Sequence, residues 1–127
     1  MREPTYYILA ALLDGPLHGY AIIKRAEELS GGRVRPAAGT LYAALDRLAG
    51  EGLVETVRQE TVNGRARRYY ALTREGATAL RAEARRMARA ADLVIEHRVI
   101  EDRVIEDRAA APGQSRGRGT EAQATPA

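Results

Sequence analysis

The chain has 127 residues and a formal net charge of +3, with a pI near 9.6: room for one modest core, but not for a two-lobed enzyme with a cleft between domains. No run of about 18 apolar residues occurs, which excludes a transmembrane helix. Cysteine is absent and the two histidines, His18 and His97, lie far apart. That excludes disulfides, thiolate catalysis and cysteine-ligated zinc, and it leaves no metal-hydrolase constellation.

Residues 5–13, TYYILAALL, form an apolar run that the turn signal Asp14-Gly15-Pro16 ends. At this length a strand and a helix are both open, and Ala10, Ala11, Leu12 and Leu13 favour helix. A second helix is expected from Leu17 to Leu29, stopped by Gly31-Gly32. A third runs from Ala38 to Gly50, with Leu41, Ala44, Leu45 and Leu48 on one stripe and Glu51-Gly52 closing it.

The period then changes. Leu53–Arg58 and Arg68–Leu72 are rich in β-branched and aromatic residues, and Asn63-Gly64 lies between them. Asn-Gly flanked by such runs is a strong hairpin signal, because both residues tolerate positive φ. All six tyrosines precede residue 71, so the compact core is expected within residues 1–72. Thr73 offers an N-cap hydroxyl with Glu75 in the first turn, opening a long helix from about residue 74 to beyond 100.

Along that helix Ala77, Leu80, Ala84, Met87, Ala91 and Val94 recur at the 3,4 spacing of a coiled-coil seam. We therefore expect residues 73–111 to form a dimerisation helix. The repeat VIEHR, VIEDR, VIEDR over 94–108 breaks the seam, because five residues advance a helix by roughly 500°. Pro112-Gly113 ends it, and residues 112–127, without apolar periodicity, read as a disordered tail.

Three helices followed by a basic hairpin is the winged helix-turn-helix order: mainly α with a β-hairpin wing, then a long C-terminal helix. In that fold the third helix is sized for a DNA major groove. Its apolar stripe turns Thr40, Ala43 and Arg47 to a common outer face with Tyr42 and Asp46 on the flank, although a solvated helix face has the same pattern. Residues 56–70 carry Arg58, Arg65, Arg67 and Arg68 against Glu60 alone. Arg65 and Arg67, expected at the wing tip, suit phosphates or the minor groove. His18 reads as a cap or packing residue rather than a ligand.

Three motifs in order carry a family likeness: His18-Gly19-Tyr20; Gly39-Thr40-Leu41-Tyr42 with Leu45, Arg47-Leu48 and Gly52-Leu53; and Arg68-Tyr69-Tyr70-x-Leu72-Thr73-x-x-Gly76. Over residues 4–95 the chain resembles the PadR family of transcriptional regulators, in its smaller form with a single C-terminal helix. The resemblance implies a homodimeric repressor on a pseudo-palindromic double-stranded DNA operator, with a small-molecule effector as a further partner and Tyr20, Gly39 and Tyr42 among the DNA-facing residues. Tyr20 also fits a half-buried core position. Ala37, Ala38 and Ala43 depart from the family, where a capping residue and a proline are frequent.

A winged-helix module for protein–protein assembly is the competing reading. An enzyme has no support: there is no paired His/acid cluster and no Gly-rich phosphate loop after a strand. We expect no catalytic residue, metal or cofactor. With no signal segment before the first amphipathic pattern, the expected compartment is a reducing cytoplasm, with no membrane partner.

Overall fold

The computed structural model describes residues 1–110, so the expected tail lies outside the described residues. In chain order the elements are α1 (Glu3–Ala11), β1 (Leu17–His18), α2 (Gly19–Leu29), α3 (Ala38–Gly50), β2 (Val54–Val62), β3 (Arg65–Leu72) and α4 (Arg74–Ala110). The three strands form one antiparallel sheet in the order β1-β3-β2. This is a winged helix-turn-helix fold. It falls into two units, Met1–Arg86 and Met87 onward, and the core belongs to the first.

That core gathers Ile8, Leu9 and Leu12 from the first segment, Ile22 from α2, Leu41, Leu45 and Leu48 from α3, and Val54 and Tyr70 from the sheet. The stripe read for α3 is the stripe buried. Ser30 closes α2 from inside: its hydroxyl donates to the Glu27 carbonyl at 3.2 Å and accepts the Val34 N–H at 2.9 Å. A buried hydroxyl is thereby satisfied on both sides.

The second helix begins two residues later than expected. Leu17 and His18 instead pair with Tyr70 and Tyr69 as a strand. A two-residue strand has no period to read. His18 then caps α2, its Nδ1 accepting the Ala21 N–H at 3.4 Å.

The hairpin is longer than its apolar runs. Val62 pairs with Arg65 across Asn63-Gly64, whose φ values are 52° and 77°. Two left-handed residues make the turn whose twist matches the strands, and it carries pairing through Gln59–Val62 and Arg65–Arg67, where no β pattern exists. A bulge at Val57 shifts the register: Thr56 faces Tyr70, whereas Arg58 faces Tyr69. Beyond the bulge Arg58, Glu60 and Val62 therefore share a face with Tyr69, Arg67 and Arg65. Arg68 points to the opposite face.

Thr73 joins three elements. Its hydroxyl donates to the Gly52 carbonyl at 2.6 Å and accepts the Gly76 N–H at 2.9 Å, while its own N–H donates to the Leu53 carbonyl at 3.1 Å. The first turn of α4 is pressed so close to this backbone that a Cβ on Gly76 would collide with the Leu53 carbonyl oxygen.

One seam residue belongs elsewhere. Leu80, expected on a dimer stripe, is only 4% exposed and packs in the chain's own core. Seam spacing cannot distinguish burial against a partner from burial against the same chain.

Replacing Gly76 with alanine should lower stability by about 3 kcal/mol, since the obstacle is backbone that has no room to move. In contrast, Gly50→Ala in the last turn of α3, where a Cβ would meet nothing within 4 Å, should raise stability by up to about 1 kcal/mol. Denaturant unfolding of the two variants checks this. Similar shifts in both would overturn the close approach at Thr73.

Candidate nucleic-acid interface

Four elements of the first unit present the residues singled out from sequence. Tyr20, in the first turn of α2, is 67% exposed, which removes it from the core. The Lys24 ammonium lies one turn on, 5.9 Å from the Tyr20 ring centre. Lys24 is the only lysine in the chain, and its i,i+4 relation to Tyr20 was the signal that could have marked it.

On α3, Gly39, Thr40, Tyr42, Ala43 and Arg47 are all exposed. Tyr42 leans towards α2: a Cβ on Gly19 would come within 2.5 Å of its hydroxyl. The two motifs that contain Gly19 and Tyr42 thus meet in space, with the bare Gly19 backbone accepting the ring. Thr40 and Ala43 face outward from the core stripe.

Arg47 is engaged elsewhere. Its guanidinium donates to the Thr5 hydroxyl at 3.2 Å and pairs with Glu51 at 3.6 Å, which turns it towards α1. There it lines a half-open cleft of about 370 Å³ with Met1, Arg2, Thr5, Leu48, Glu51 and Leu53. Helical spacing puts Arg47 beside Thr40 and Ala43, but its side chain follows the nearest carboxylate and hydroxyl. Asp46, on the flank in the sequence reading, is exposed with no hydrogen-bond or ion-pair partner among the described residues.

The wing has one patterned face. Arg58 stacks its guanidinium 3.9 Å from the Tyr69 ring centre and pairs with Glu60 at 3.4 Å. The Tyr69 hydroxyl also donates to Glu60, at 3.2 Å. The His18 ring meets Tyr69 edge-to-face at 5.5 Å. Arg65 is exposed next to the turn, whereas Arg67 is half-buried and lies lower, directly across from Glu60. Only Arg65 therefore sits at the tip expected for both. Neither Arg65, Arg67 nor Arg68 has a carboxylate within ion-pair distance among the described residues. The bulge at Val57 created this face, and no sequence signal announced it.

His18 links the wing to α2. Burial holds its imidazole below the ordinary value near 6.5, the Arg67 charge pushes the same way, and Glu60 opposes them. The neutral ring is also what the cap requires, because a protonated Nδ1 could not accept the Ala21 N–H.

Among the described residues no helix is long and apolar enough to cross a membrane, and no cluster of three His, Cys, Asp or Glu could hold a metal ion.

A family model described as the transcriptional regulator PadR-like family matches residues 8–82. The chain is 42% identical over 98 residues to an uncharacterized 37.1 kDa protein in transposon TN4556 of Streptomyces fradiae, covering 77% of this chain and 27% of that one. It is 40% identical over 74 residues to the Mycobacterium tuberculosis transcriptional regulator Rv3488, covering 58% of this chain and 65% of the other. The chain thus spans under two thirds of either relative's length. Among solved structures, Bacillus subtilis PadR in complex with operator DNA is 27% identical with a TM-score of 0.58, over 65% of this chain and 48% of that one.

An imidazole held neutral by the fold leaves stability intact above about pH 6.5, where it is neutral folded or unfolded. Stability is lost as pH falls below that value, because the unfolded chain takes up the proton first. The wild-type protein should therefore lose stability relative to His18→Asn, which keeps a capping oxygen but no titrating ring, as pH is lowered from 7.5 to 5.5. Thermal unfolding of both proteins across this range measures the difference. Parallel pH curves would show that the imidazole is not held neutral.

Proposed function

Since the chain belongs to the PadR-like family of transcriptional regulators, we propose that it acts in the cytoplasm as a homodimeric repressor binding a pseudo-palindromic DNA operator. The carrying observation is the pairing of β1 with β3. It fixes the base of the arginine-bearing wing against the residue that caps α2, two residues before exposed Tyr20. One backbone ladder thus sets the wing relative to the helix pair. Arg65 and Arg67 supply unpaired cations for phosphates, and Tyr20 and Lys24 supply a second backbone contact. Thr40, Tyr42 and Ala43 lie on the helix that enters the groove.

Dimerisation rests on the second unit. Met87 and Val94 are 39% and 68% exposed, and Ala91 between them is exposed as well. With Leu80 committed to the core and Ala77 and Ala84 half-buried in the first unit, Met87, Ala91 and Val94 remain for a partner helix. Burying the two large side chains would stabilise a pair by about 1.5–3 kcal/mol each. For the effector, the cleft beside Arg47 falls within the lower range of ligand-site volumes, and a molecule there would compete for the Arg47 guanidinium next to the reading helix.

The protein–protein alternative is separated by salt. Affinity for DNA falls steeply as salt rises, because phosphate contacts release counterions. Arg65→Ala and Arg67→Ala should each weaken binding to all duplexes alike and flatten the log–log salt slope by about one unit. Titrations on selected and scrambled duplexes at several salt concentrations test this. A chain that binds no duplex at low salt would refute the DNA reading.

Met87→Asp and Val94→Asp should yield monomers that remain folded and bind the operator poorly, whereas Leu80→Asp should unfold the protein. Sedimentation and circular dichroism distinguish these outcomes. Intact dimers in both exposed-site variants would remove this stripe from the interface.

A further inference from the structure

The outermost ridge of α3 is not the one that carries its arginine. Opposite the buried Leu41, Leu45 and Leu48 stand Gly39, Ala43, Asp46 and Gly50, spaced 4, 3 and 4 residues apart and all exposed. At 100° per residue this ridge is the line of the helix farthest from the core. A Cβ on Gly39 or Gly50 would meet nothing within 4 Å, so the free chain has no packing reason for bare backbone there. Such a ridge lets an α-helix sink deep into a groove. Its one functional group is the Asp46 carboxylate.

Arg47, the neighbouring candidate, is held by Thr5 and Glu51. Asp46 makes no such contact among the described residues. A carboxylate carried into a field of phosphates is repelled unless it accepts a hydrogen bond from a base. In the major groove the exocyclic amines of cytosine and adenine are donors. Adenine presents its donor between two acceptors, its own N7 and the O4 of the paired thymine, and both face a carboxylate unfavourably, whereas cytosine N4 has an acceptor on one side only, the O6 of the paired guanine.

We propose that Asp46 is the sequence-determining residue of α3, accepting a hydrogen bond from cytosine N4 at one position of each half-site. The proposal rests on the DNA-binding reading above. Asp46 acts in both directions: it favours one base pair and, by repelling phosphate, weakens attachment to every duplex that lacks it.

The experiment selects duplexes from a random pool with the wild-type protein, Asp46→Ala and Asp46→Asn, then measures each on selected and scrambled DNA. The wild type should enrich a cytosine at one position per half-site. Asp46→Ala should lose about 5- to 150-fold of discrimination there and bind scrambled duplexes more tightly. Asp46→Asn should move the preference at that same position towards adenine, whose N6 and N7 an amide matches. A merely structural role would not switch one base for another. Asp46 is exposed, so unchanged unfolding curves will show that the variants are folded. If both variants select the wild-type site with the same preference at every position, the proposal is overturned. If the wild type enriches no sequence at all, the operator-binding reading fails instead.

Discussion

The carbonyl oxygens of Gly52 and Leu53 are the point on which the end of α3, the end of the wing and the start of α4 converge. Two groups of Thr73 bond to them, and Gly76 gives up its side chain to stay clear of them. The hydrogen bonds are individually modest, worth about 1 kcal/mol each. Their effect is geometric. Because the same three residues terminate one element and start another, α3 and the wing cannot tilt independently without breaking a cap. The β1–β3 pairing provides the second fixed point, at the N-terminus of α2, and the helix pair and hairpin are held between the two.

What was legible in the sequence follows from period and turn chemistry. The bounds of α3 were readable because Leu41, Leu45 and Leu48 repeat at helical spacing and Gly52 ends them. Asn63-Gly64 was readable because few other pairs accept two left-handed residues. The strands around it were only half readable, since Gln59–Val62 and Arg65–Arg67 pair through the turn's geometry and not through any apolar alternation of their own.

The misplaced residues share a different cause. Leu17 and His18 became a strand because β3 offered a free edge, which is a tertiary fact. Leu80 went to the core and Arg47 to Thr5 and Glu51 because helical spacing specifies a direction around an axis but not what waits there. Arg67 lies lower and more buried than a tip residue because it stands two positions beyond Arg65 along β3, directly across from Glu60. In each case the local pattern was right and the neighbour was unknown.

The Val57 bulge also bears on how such a wing can change over generations. Everything distal to it keeps its own parity: Arg58, Glu60 and Val62 on one face with Arg65, Arg67 and Tyr69. Lengthening both strands by two residues extends the wing by about 7 Å and leaves every face as it was. Adding a single residue to each strand instead exchanges the two faces for everything beyond the insertion. The reach of the wing can thus drift in quanta of two residue pairs, while the face that Arg65 and Arg67 share stays the same.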